Sequence, residues 1–117
     1  MIKKSAEYDK KDFDLKKVYS AFKKLSSDFR FITINKEIGK NEIEEIKIYE
    51  LEEILNIKPA KNVQSITLMT NEEIIIVLIN SFSKFTSISI NADKKDDILR
   101  IKNIIEEELE LKEMINN

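Results

Sequence analysis

Ile74 to Ile79 is the longest uninterrupted apolar run in the chain, six residues reading Ile-Ile-Ile-Val-Leu-Ile, and it restricts the possible folds more than any other segment. It is far short of the roughly 20 residues a membrane-spanning helix needs. In an extended strand successive side chains point to opposite faces, so a run that is apolar at every position presents two apolar faces. Such a strand belongs in the interior of a sheet, flanked on both edges and covered at least partly on both sides. Ile occupies 21 of the 117 positions, and this concentration of β-branched residues suits a pleated, buried surface.

The segments around this run read in the same way. Val63 to Thr70 alternates through Ile66, Leu68 and Thr70, and Asn71-Glu72-Glu73 forms a short turn into Ile74. Phe85 to Asn91 alternates with Thr86, Ile88 and Ile90 on one side and Ser87, Ser89 and Asn91 on the other, as a strand with one wet face should. Earlier, Phe29 to Lys36 and Glu44 to Tyr49 form a hairpin about a turn at Gly39-Lys40-Asn41. Leu15, Val18, Tyr19, Phe22, Leu25 and Phe29 recur at three- and four-residue steps and predict an amphipathic helix that Asp12 or Asp14 caps. Leu51, Ile54 and Leu55 predict a short helix before a loop at Pro59. Ile98, Ile101, Ile105 and Leu109 share the apolar stripe of a helix over 93–113, with Asp93, Asp96 and Asp97 capping its start.

The expected order is therefore α-β-β-α-β-β-β-α. It describes an α+β two-layer sandwich, a mostly antiparallel five-stranded sheet with two long helices packed on one face, in a single domain over 1–117.

Absent residue types narrow the chemistry. With no His and no Cys, the chain has no imidazole for proton exchange near neutral pH, no thiol nucleophile and no ordinary zinc site. One glycine, Gly39, is too few for a phosphate-cradling loop. The expectation is that the protein is not an enzyme and has no catalytic residue, no cofactor and no bound metal. Met1 to Lys4 lead into Glu7, Tyr8 and Asp9 rather than an apolar stretch, so neither a signal peptide nor membrane association is expected. A cytoplasmic location follows as the default.

The formal net charge of −2 conceals a polar division. Residues 1–40 carry 11 Lys/Arg against 6 Asp/Glu, and residues 41–117 carry 9 against 16. On the expected first helix Lys16, Lys17, Lys23 and Lys24 lie opposite the apolar stripe, where they offer a docking face for an acidic partner. A helix extending back to the N-terminus would align the lysines at 3, 10, 17 and 24 in one ridge. Glu44, Glu45, Glu50, Glu52 and Glu53 offer a face for a basic partner. No aromatic residue interleaves with the lysines, which argues against specific nucleic-acid recognition.

The far side of the sheet is the remaining candidate. Gln64, Ser65, Thr67, Ser87, Ser89 and Asn91 would rim whichever of Ile75, Val77 and Ile79 face outward, unless the short helix or the N-terminal arm folds over them. The reading that follows is a non-enzymatic protein-interaction module: a small adaptor, an immunity or inhibitor protein, or a regulatory domain of a longer bacterial or phage-type protein. It would have a protein partner, and a homodimer through the sheet face or through an edge at Phe85 to Asn91 is open to it. The alternative is a sensor domain that binds a small ligand or nucleic acid across the exposed sheet.

Overall fold

The period-two segments pair into one antiparallel sheet. The computed structural model describes residues 1–25, 28–58, 62–80 and 85–113. Its elements are β1 (Ile2–Asp9), α1 (Leu15–Leu25), β2 (Phe29–Gly39), β3 (Glu42–Ile48), a 3-10 helix (Leu51–Asn56), β4 (Val63–Thr70), β5 (Ile75–Asn80), β6 (Phe85–Ala92) and α2 (Lys95–Glu108). The strand order is β1-β6-β5-β4-β2-β3, and every neighbouring pair is antiparallel. The α+β class and the antiparallel sheet agree with the sequence reading, but six strands are present among the described residues rather than five. The loop predicted around Pro59 lies outside those residues.

The additional strand is β1. Its inward positions carry only Ala6 and Tyr8 as buried residues, and Lys4 occupies the inward register position opposite Ile90. That is too few apolar side chains to announce a strand by periodicity. The helix does not extend back to the N-terminus: as expected of one of the two candidate caps, Asp14 accepts a hydrogen bond from the Lys16 amide at 3.0 Å where α1 begins at Leu15. Lys3 therefore lies in a strand, and the four lysines at seven-residue spacing make no ridge. β1 also corrects the edge assignment. It pairs with β6 along its whole length, so β6 is an interior strand and the sheet edges are β1 and β3.

All buried strand side chains belong to one face of the sheet. Tyr8, Ile32, Ile34, Ile66, Leu68, Ile76, Leu78, Ile88 and Ile90 form one cluster with Val18 and Phe22 of α1, Leu51 and Ile54 of the 3-10 helix, and Ile98, Ile101 and Ile105 of α2. Both long helices and the 3-10 helix therefore cover the same side. β5 is interior, between β4 and β6, but the expected cover on its second face is not found among the described residues: Ile75 and Val77 are half-buried and Ile79 is 40% exposed.

Local chemistry sets the element ends. Asn41 adopts φ 64° in the two-residue turn between β2 and β3, the left-handed conformation that Asn tolerates better than most residues. Glu73 at φ 65° closes the β4–β5 turn, where the Thr70 hydroxyl accepts the Ile74 amide at 3.1 Å. α2 stops at Glu108 rather than continuing to 113. Glu110 turns left-handed at φ 55°, its amide bonds the Glu107 carbonyl at 3.3 Å, and the Leu111 amide bonds the Glu106 carbonyl at 2.9 Å, which is a Schellman closure. At the other end of α2 the N-cap is Lys94, without a side-chain cap, so Asp93 does not take the capping role expected of it. Asp96 and Asp97 remain in the first turn, beside the positive end of the helix dipole.

Tyr8 fastens β1 to this framework. Fully buried, it donates its hydroxyl to Glu106 of α2 at 2.8 Å. Lys102 bridges Glu106 at 3.1 Å and Glu113 at 3.0 Å, and Glu113 forms a β-bridge with Tyr8. Burial, then the bond to Glu106, raises the Tyr8 phenol far above its ordinary range. Burial pulls the Lys102 ammonium down, but its bonds to Glu113 and Glu106 outweigh that and hold it above its ordinary value. Because the native phenol keeps its proton while the unfolded one titrates near pH 10, Tyr8 stabilises the fold fully below about pH 10 and progressively less above it. Tyr8→Phe is expected to cost about 1–3 kcal/mol in urea unfolding at neutral pH. It should also flatten the loss of stability between about pH 10 and about pH 11; an unaltered alkaline limb would refute this role for the hydroxyl.

Candidate functional site

The lysines singled out by sequence sit on α1, but two of them are engaged within the chain. Lys24 of α1 pairs with Glu108 at the end of α2, and Ser20 donates to the same carboxylate at 3.1 Å. Lys17 reaches Glu110 at 3.2 Å, and Lys11 joins it at 3.4 Å. Lys23 lies over the Tyr19 ring, 5.7 Å from its centroid, and Lys16 is exposed. The positive N-terminal third and the acidic end of the chain's last helix thus meet in the folded protein, where Lys11, Lys17 and Lys24 are paired with Glu108 and Glu110.

The acidic candidates do not form one patch. Glu44 and Glu45 are neighbours on β3 and point to opposite faces of the sheet. Glu50 and Glu53 form a capping box on the 3-10 helix, with Glu53 accepting the Tyr49 and Glu50 amides at 3.2 and 3.3 Å. Glu52 is exposed. Among the described residues no group of three or more acidic side chains is placed to hold a metal ion, and no helix is long and apolar enough to cross a membrane. Lys36 is the buried charge that sequence reasoning passed over. It is 4% exposed on the helical face of β2, across from Glu44, where a long aliphatic stem can be buried while the ammonium reaches water.

The opposite face of the sheet is a different kind of surface. Strand pairing sets its side chains in rows across the molecule. The first row runs Lys3, Asn91, Ile75, Met69, Phe31. The second runs Ser5, Ser89, Val77, Thr67, Thr33, Lys47, and the third Glu7, Ser87, Ile79, Ser65, Asn35, Glu45. A fourth, partial row pairs Asp9 with Phe85 and Glu37 with Ile43. The aliphatic residues collect on β5 and continue into Met69 and Phe31, while hydroxyl and amide side chains occupy β6 and β4 to either side.

Short polar contacts fix this surface. Asn35 donates to Ser65 at 3.0 Å, and Gln64, the extra residue of a bulge against Asn35 and Lys36, donates to Glu37 at 3.3 Å. The Lys47 ammonium stands 4.2 Å from the Phe31 ring centroid and 5.8 Å from that of Tyr49, within the range of cation–π attraction. Neither of the two segments that could have folded over the face does so. The 3-10 helix packs its Leu51 and Ile54 into the core on the other side, and the N-terminal arm is a strand of the sheet itself. Ile75, Val77 and Ile79 face outward with the polar residues the sequence placed beside them. Phe31 and Met69 were missed, although the alternation of Phe29 to Lys36 carries Phe31 to the same side as Thr33 and Asn35.

Two clefts open elsewhere. One, of about 420 Å³, lies between the start of α1 and the 3-10 helix and is lined by Leu15, Tyr19, Ile54, Leu55 and Ile57. The other, of about 320 Å³, has Lys23, Lys24 and Arg100 facing Asp28 and Glu72, a mixed set of charges.

The ion pairs of Glu108 and Glu110 have a testable signature in acid. Lys24, then Ser20, holds the Glu108 carboxyl below the ordinary range, and Lys17, then Lys11, does the same for Glu110. As pH falls the unfolded chain takes up these protons before the native state does. The stabilisation is therefore complete above about pH 5 and is lost as pH drops through the lower native values. Lys17→Met combined with Lys24→Met should flatten the fall of melting temperature between about pH 5 and about pH 3. Melts that keep the wild-type slope would show that the pairs contribute nothing.

Comparison of the chain with protein-family models, with curated proteins and with solved structures returns no match.

Proposed function

We propose that this chain is a non-enzymatic protein-interaction module that binds through the open face of its sheet. One observation carries the reading: a column of Ile75, Val77 and Ile79, extended by Met69 and Phe31, lies on the face away from the helices, bordered by Ser, Thr and Asn. An apolar centre within a polar rim is the composition of recognition surfaces. Adaptor, immunity or inhibitor protein, and regulatory domain of a longer chain are the roles such a surface suits. The charged candidates take a secondary part. Lys16, Lys23, Glu44, Glu45 and Glu52 shape the field that steers encounter, whereas Lys17, Lys24, Glu50 and Glu53 have structural partners within the chain.

The sensor alternative would use the same face, but side chains standing in parallel rows suit an extended macromolecular contact better than the encirclement a small ligand needs. The test is site-specific photo-crosslinking in the native host. A photoreactive side chain at Val77, on the open face, should yield a discrete adduct, while the same group at Leu99, exposed at 44% on α2, should not. No adduct at position 77, or equal adducts at both positions, would overturn the reading.

A further inference from the structure

We infer that the occupant of the open face is a second copy of this chain, docked sheet against sheet about a twofold axis that runs across the strands, between the second and third rows. This rests on reading the open face as an interaction surface and names its partner. A twofold interface must be self-complementary, and the charged residues at the ends of the rows meet that condition in only one of the two simple orientations. With the axis across the strands, each strand lies over its own counterpart with the rows inverted. Val77 then meets Ile79 of the second copy, so β5 packs aliphatic on aliphatic. At one edge Lys47 meets Glu45, and at the other Lys3 meets Asp9.

An axis along the strands does the reverse. It lays β1 over β3 and β5 over β4, which sets Glu7 against Glu45 and places Ile79 on Ser65. The second axis also lays Ile75 on Met69, and the first lays Phe31 on Glu37, so apolar matching does not separate the two; like charges juxtaposed at an interface are costly, and charge selects the axis across the strands.

Size is consistent with this pairing. Six strands about 4.8 Å apart and about 20 Å of strand length present about 600 Å² per copy, or about 1,200 Å² in the pair, which reaches the lower bound for specific association. Two sheets packed face to face, about 10 Å apart with strands aligned to within about 30°, are a common arrangement. Association through the edges is disfavoured. β3 carries Glu42, Glu44, Glu45 and Lys47, and the outer side of β1 is bridged at Tyr8 by Glu113, both ways in which natural sheets block edge pairing.

Light scattering and sedimentation velocity on the purified chain provide the test, from micromolar to millimolar concentration. Wild type is expected at twice its 13.7 kDa mass, and Val77→Lys at the single mass. Lys47→Glu should weaken self-association about tenfold or more by opposing Glu45. Adding Glu45→Lys to that variant should restore it, because the reversed pair is regenerated twice across the axis. Both charge substitutions lie on an exposed edge strand and leave the core untouched, and a melt of each variant checks its fold. A monomer at millimolar concentration, a dimer indifferent to Val77→Lys, or a double variant as weak as the single would each overturn the inference. These results are separable from failure of the interaction-face reading: a monomer that still crosslinks at position 77 to a protein of another mass loses only the second copy.

Discussion

The inward side chains of the sheet, from Tyr8 in β1 to Ile48 in β3, pack against Phe22 of α1, Ile54 of the 3-10 helix and Ile105 of α2, all within one cluster. Everything else in the molecule depends on that one-sided packing. Each fully buried Ile or Leu contributes about 1.5–3 kcal/mol, and the cluster gathers these residues on a single face. A sheet stabilised in this way needs no second apolar layer. Its other surface is released from the demands of folding and can be shaped by other requirements.

Electrostatics follows from the same arrangement. Helices laid side by side on one face bring the lysines of α1 against the acidic end of α2, so Lys17, Lys24, Glu108 and Glu110 neutralise one another. Part of the division of charge along the sequence therefore becomes an intramolecular clasp. Exposed pairs of this kind contribute little individually. Their effect here is positional, since together with Tyr8 and Lys102 they tie the segment after α2 to both α1 and β1.

The sequence disclosed whatever periodicity governs and hid what depends on neighbours. Strong alternation in β4 and β6, the apolar run of β5 and the three-four spacing of α1 and α2 all became the elements expected of them. β1 was hidden because an edge strand needs only one flank and little burial; Ala6 and Tyr8 suffice when Tyr8 is fastened by Glu106. Its absence from the reading displaced a second inference, since without β1 the strand Phe85 to Ala92 looks like an edge. The site was half legible. Alternation identifies the outward residues of each strand, but only the pairing register shows that Phe31 adjoins Met69 and that Met69 adjoins Ile75. The end of α2 was missed for another reason, a left-handed glutamate at 110 where Gly or Asn is the usual signal.

The outward side of β5 has one further property that propensity alone does not explain. β-branched residues are favoured in strands whether or not they are covered, and this accounts for Val and Ile at exposed strand positions in general. Thr satisfies the same preference, and the equivalent outward positions of β2, β4 and β6 do carry Thr and Ser beside Ile75, Val77 and Ile79. If conformational preference were the whole requirement, hydroxyl and aliphatic residues would be interchangeable across the face. They are instead largely segregated: in the second and third rows the aliphatic residues stand on β5 and hydroxyl residues flank them on β4 and β6. Segregation of that kind lowers the cost of desolvating the centre while leaving hydrogen-bonding groups at the margin.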